Sequence, residues 1–185
     1  TTGPFVPDSW AYDKDVEPHP YDPQKARELL REAGWVDTDG DHIVDKDGSP
    51  FEFTVLINQG NAERQRAAEM IQKYLKDIGI RMKIRTLEWS AMISEFIEKR
   101  RFEAVLMGWF LTRDPDCYDI WHSSRTREGE FNFVGYKNVQ VDHLLEEGRR
   151  ELDQSKRAEI YHKIHRLIYD DQPYLFLYSS EMLPI

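Results

Sequence analysis

The chain has 185 residues, room for one ordinary domain or one lobe of a larger protein, and 40% hydrophobic residues with 12% aromatics can supply a core. A formal charge of −9, from 34 acids against 25 bases spread along the whole length, leaves no basic stripe for phosphates and argues against nucleic acid as a partner. No apolar run approaches the roughly 18 to 20 residues that span a bilayer, and the single Cys117 can form no internal disulfide.

Thr1-Thr2-Gly3-Pro4 shows neither an initiator Met nor the basic and apolar regions of a signal peptide, so mature or excised material is expected. Residues 1–21, with Pro4, Pro7, Pro18 and Pro20 among Trp10, Tyr12 and Tyr21, read as an extended arm pinned by aromatics. Asp22-Pro23 then offers an N-cap and a first-position proline. Ala26, Leu29, Leu30 and Ala33 follow at helical spacing, and Gly34 is the stop. Residues 37–48 carry Asp37, Asp39, Asp41, Asp45 and an Asp47-Gly48 turn signal before an apolar run, which predicts a hairpin-like loop.

Strand-like segments are expected at residues 51–57, 80–87 and 102–109, separated by two helices. The first helix would bury Ala67, Ile71, Tyr74, Leu75 and Ile78 and end at Gly79; the second places Ile93, Phe96 and Ile97 on one face. Strand, helix, strand, helix, strand with short joints implies right-handed parallel crossovers, hence an α/β fold. Further on, Val141, Leu144 and Leu145 mark one helix and Ala158, Tyr161, Ile164, Leu167 and Ile168 a longer one. Residues 173–178 read as a last strand.

An open α/β sheet places ligands at the carboxyl ends of its strands, where the winding reverses. If the strand order is 2-1-3, the loop Asn58-Gln59-Gly60-Asn61 faces the loop Trp109-Phe110-Leu111-Thr112. Amides and a glycine suit a polar backbone, and Trp109 and Phe110 suit apolar groups. The same residues also read as packing, with Trp109 over the core and residues 58–61 turning the chain into a helix. Asp114-Pro115-Asp116 can supply a carboxylate to a ligand amine, or cap a helix running toward Trp121.

Asp37, Asp39, Asp41 and Asp45 alternate in a way that can gather oxygen ligands for calcium. The EF-hand positions for glycine and glutamate hold His42 and Gly48 instead, which favours a solvated acidic hairpin and no resident cofactor. His162 and His165 lack the Glu of a zinc helix, Ser123 and Ser124 lack a nucleophile elbow, and Cys117 has no evident activating base. No nucleophile or metal cluster points to an enzyme. A small α/β hydrolase or metal-dependent enzyme built on His122 and the aspartates is one alternative. An acidic protein-interaction module is another.

One family gathers these pieces in order. Its resemblance rests on Tyr21-Asp22-Pro23 with Leu29-Leu30 and Gly34-Trp35, then Gly40-Asp41, Asp47-Gly48, Ala67-Ala68-Glu69 and Ile78-Gly79-Ile80. It continues through Gly108-Trp109, Asp114-Pro115-Asp116, Asn132, Gly135-Tyr136, Asp142, Arg157 with Tyr161, and Asp171 with Pro173-Tyr174. Together they resemble the extracellular solute-binding proteins of peptide-type ABC importers, the dipeptide- and oligopeptide-binding proteins. The resemblance implies a type II periplasmic-binding-protein-like lobe, an open and mostly parallel sheet with helices on both faces. Residues 1–21 would be the arm or linker from a missing first lobe and 22–185 the second lobe.

The same resemblance implies a non-catalytic receptor, periplasmic or extracellular and either free or lipid-anchored, that delivers a peptide or small polar ligand to ABC permease subunits. Ligand contacts would fall on Asn58, Gln59, Gly60, Asn61, Trp109, Phe110, Thr112 and Asp114. Relatives commonly carry, three residues after the Gly-Trp pair, an aspartate that takes the ligand's α-amino group. Here that residue is Thr112, which cannot neutralise an ammonium. Either Asp114 assumes the role, or the ligand lacks an ordinary free amine.

Overall fold

A computed structural model describes residues 1–110 and 112–179. It groups them into two compact units: Pro20–Gly108, and Thr1–His19 together with the chain from Trp109 onward. The sequence reading runs one lobe from residue 22 to 185.

In the unit Pro20–Gly108, α1 (Pro23–Glu32) opens as expected: the Asp22 side chain accepts from the Lys25 amide and Gly34, at φ +87°, ends it. Strands β1 (Asp45–Lys46) and β2 (Ser49–Pro50) pair antiparallel around Asp47-Gly48, both at positive φ, as a two-residue hairpin requires. Then follow β3 (Glu52–Asn58), α2 (Ala62–Asp77), β4 (Arg81–Leu87), a short α3 (Trp89–Ala91) continuing as a π-helical turn at Met92–Ile97, and β5 (Ala104–Val105).

β3 lies between β4 and β5 and is parallel to both, so the order is 2-1-3 in chain sequence. β5 is much shorter than the expected strand at 102–109: only Val55↔Ala104 and Leu56↔Val105 pair, and one further bond runs from the Leu106 amide to Leu56. Its apolar run continues beyond the ladder because Leu106 and Met107 are half-buried whether or not they pair.

The crossover from β3 to β4 and the one from β4 back across β3 to β5 run in opposite directions, so right-handed connections set α2 and the π-helical turn on opposite faces of the sheet. Val55 and Ile57 alternate with Leu56 along β3, and all three are buried because both faces are covered. The buried stripe of α2 is centred on Ala68; Tyr74 is exposed rather than packed inward, its ring lying 5.3 Å from Tyr21.

In the other unit, α4 (Tyr118–Trp121), α5 (Val139–Arg150) and α6 (Gln154–Asp171) surround a core of Phe5, Ala11, Trp121, Val141, Leu145, Tyr161, Ile164 and Ile168. Gly148 of α5 faces α6, where an added Cβ would make ordinary contact with Tyr161 at 3.4 Å. The arm is pinned from both ends: Phe5 and Trp10 meet Tyr161 edge-on at 5.5 and 5.8 Å, and His19 stacks on Tyr169 at 5.0 Å.

The segment 173–178 is not a strand. Tyr174 and Phe176 turn onto Trp121 while Leu175 is exposed, so the alternation is real, but no neighbouring strand pairs with it among the described residues. No helix among the described residues is long and apolar enough to cross a membrane.

Candidate functional site

The carboxyl ends of β3 and β5 are where the winding of the three-stranded sheet reverses. Here Asn58 Oδ1 accepts from Arg64 Nη1 at 2.6 Å, and Asn61 caps α2 by accepting from the Arg64 amide at 2.9 Å. Gln59 is tied by its amide to Leu87, leaving its side chain exposed, and Gly60 turns the chain at φ +81°. Two of the four expected contact residues therefore spend their side chains on structure. The sequence reading missed Arg64, whose guanidinium carbon lies 6.0 Å from the Trp89 ring centroid, and Trp89 itself, which is 44% exposed.

A cleft of about 330 Å³ opens elsewhere, beside the start of β5, between Thr54, Arg85, Phe96, Arg101 and Glu103. Glu103 accepts from the Thr54 amide at 2.8 Å, so its carboxylate finishes the β3 ladder where β5 begins. The cleft lining holds neither a nucleophile nor a set of metal ligands.

In the other unit, Trp109 packs edge-on against Phe131 at 5.5 Å and stacks on Phe133 at 5.9 Å, whereas Phe110 is 91% exposed. Leu111 lies outside the described residues. Thr112 Oγ1 donates to the Asp114 carbonyl at 2.7 Å. Asp114 does not cap a helix. Both its oxygens accept from Arg157 at 2.8 Å and one also accepts from the Asp116 amide at 2.9 Å, while α4 begins only at Tyr118. The acid ahead of that helix is Asp116, which accepts from the Tyr118 amide at 3.1 Å and pairs with Arg149 at 2.7 Å. The Arg157 guanidinium holds the Asp114 carboxyl below its usual range against the opposing effect of burial.

The remaining candidates resolve into structural roles. Nδ1 of His122 accepts the backbone N–H of Ser124 at 3.1 Å and lies 2.8 Å from the Ser124 hydroxyl, so the ring closes a local turn two residues on. Ser123 donates to Asp142 through both its hydroxyl and its amide. Burial pushes the Cys117 thiol far up, which makes it inert.

His162 and His165 do not converge on a metal. His165 is fully buried between Thr2 and the Asp13 amide, and His162 meets the Trp10 carbonyl. In the acidic loop, Asp37, Asp39 and Asp45 bring ligand atoms within 4.8 Å of one another. Asp41 departs to pair with Arg81 at 3.1 Å. All four accept backbone amides of their own loop, from Gly40, His42, Asp41, Ile43 and Thr38.

Residues 1–130 match the family described as bacterial extracellular solute-binding proteins, family 5 Middle. The oligopeptide-binding protein AppA of Bacillus subtilis (strain 168) is 43% identical over 178 residues, 95% of this chain and 33% of AppA. The dipeptide-binding protein of Escherichia coli (strain K12) is 28% identical over 181 residues, 94% of this chain and 31% of that protein. The structure of AppA in complex with a nonapeptide superposes with a TM-score of 0.85 at 42% identity, over 94% of this chain and 35% of that one. The periplasmic binding protein DppA of Helicobacter pylori, in complex with the peptide STSA, gives 0.79 at 29% identity over 94% and 32%.

This chain thus spans about a third of the length of the relatives it matches. Its α/β, type II periplasmic-binding-protein-like fold is theirs. The chain belongs to the bacterial extracellular solute-binding proteins, family 5.

Proposed function

We propose that this chain is part of an extracytoplasmic receptor that captures peptides, or small peptide-like polar solutes, and presents them to the permease subunits of an ABC importer. The observation that carries this reading is the superposition on nonapeptide-bound AppA across 94% of the chain. Membership of a receptor family agrees with a carboxyl-edge surface of amides, the Trp89 ring and one guanidinium, suited to holding a ligand rather than transforming it. The full-length receptor, periplasmic or extracellular and either free or lipid-anchored, would supply the first lobe and close on its ligand by a hinge.

The proposed contacts are, in one unit, Gln59 and Gly60 directly, with Asn58 and Asn61 setting the loop. In the other they are Trp109 and Phe110, with Thr112 and Asp114 shaping the segment that carries them. Asp114 is committed to Arg157, so it is a weak candidate for a ligand's α-amine. The favoured ligands are those gripped along the backbone rather than by a free amino terminus. Titrating synthetic peptides of two to nine residues, free or N-acetylated, into the full-length receptor by calorimetry tests this. Saturable binding that survives acetylation supports it, and no binding of any peptide overturns it.

A further inference from the structure

Arg64 stands apart among the arginines. It shares partly buried surroundings with Arg125 and Arg157, but those two hold Asp119 and Asp114 respectively, whereas Arg64 has no carboxylate partner among the described residues. Its side chain donates to the neutral amide of Asn58 at 2.6 Å, which fixes the guanidinium without neutralising it. Glu88, next to Trp89, accepts instead from the Ala91 amide at 3.0 Å as the cap of α3.

The charge lies at the carboxyl edge of the sheet, in the first turn of a 16-residue helix whose dipole adds to it. Gly108 adds an independent observation. Its φ is not positive, and an added Cβ would meet only Arg64 Nη2, at 3.6 Å, an ordinary contact distance. Neither backbone strain nor a clash demands glycine there. Its effect is to leave that face of the guanidinium uncovered.

We infer that Arg64, oriented by Asn58 and flanked by Trp89, is an anchor for a carboxylate of the bound peptide. This deepens the proposed function and rests on it. A guanidinium already held in place offers its remaining N–H groups to a carboxylate in the fork geometry that favours bidentate pairing. The carboxylate has two possible sources, the peptide's carboxyl terminus or an acidic side chain.

The test uses the full-length receptor and four hexapeptides, AAQAAA and AAEAAA, each as free acid and as C-terminal amide. Wild type, Arg64→Met and Arg64→Lys are titrated by calorimetry. We expect Arg64→Met to weaken the carboxylate-bearing peptides by about 10- to 100-fold and the carboxylate-free AAQAAA amide by less, so that the preference for a carboxylate collapses, with Arg64→Lys in between. Loss of the acid-over-amide preference would name the carboxyl terminus as the source, and loss of the glutamate-over-glutamine preference would name the side chain. A wild type that binds all four equally, or an Arg64→Met variant that keeps the preference, overturns the anchor and leaves the receptor reading standing. A wild type that binds none overturns both.

Discussion

Acidification is expected to weaken the unit built by the N-terminal arm and α6, through His165. The ring is fully buried; its Nδ1 accepts the Asp13 amide and its Nε2 meets the Thr2 hydroxyl, both at 3.0 Å. Since Nδ1 is an acceptor, the proton sits on Nε2, and a second proton would point at the Asp13 N–H. Burial lowers the His165 pKa to about 4 from its ordinary 6.5; Asp13 pulls it back up, while His162 and Arg166 push further down. Asp13 is itself held below its usual range, because the bonds from Arg166 and the Asp15 amide outweigh the effect of burial.

A histidine with a depressed folded pKa contributes stability that is fully present above 6.5 and is lost as pH falls toward 4. The loss is about 2 kcal/mol at pH 5, and about 3 kcal/mol once pH has fallen below the folded value. Urea denaturation of the full-length receptor, followed by tryptophan fluorescence at pH 7, 6 and 5, reads this against His165→Gln, which keeps an acceptor but does not titrate. Wild type should lose about 2 kcal/mol more than the variant between pH 7 and 5. A difference that stays flat across that range refutes the reasoning.

Gly3→Ala should destabilise the same unit by about 1 to 3 kcal/mol, because its Cβ would fall 2.3 Å from a His165 ring that two hydrogen bonds hold in place; an unchanged melting temperature would contradict this. Asp114→Asn should cost only about 1 kcal/mol, since the aspartate side chain is 55% exposed and solvent screens its pair with Arg157; a thermal melt checks it. Calcium titrated into the receptor should release no heat if the carboxylates of residues 37–45 serve their own loop amides, and stoichiometric heat would establish a metal site there.

Much of the local structure was legible because neighbouring residues decide it. Asp22-Pro23 and Gly34 bound α1, and Asp47-Gly48 made its hairpin turn, since caps and positive-φ turns are matters of a few adjacent residues. Strand extent was not, because pairing depends on a distant partner. The run 102–109 stops pairing soon after Val105, and 173–178 alternates without a ladder. The role of His165 was hidden because its partners Thr2 and Asp13 lie more than 150 residues away. Arg64 drew no reading from the sequence at all. What marks it is the absence of a carboxylate partner among the described residues and the bareness of Gly108, and both are visible only in three dimensions.

Hydrogen exchange of the full-length receptor, with and without a bound peptide, tests the central claim most directly. Ligand should slow exchange in residues 58–61 with the first turn of α2, and in residues 109–114. Protection confined to other segments, with these unchanged under saturating peptide, would contradict the account.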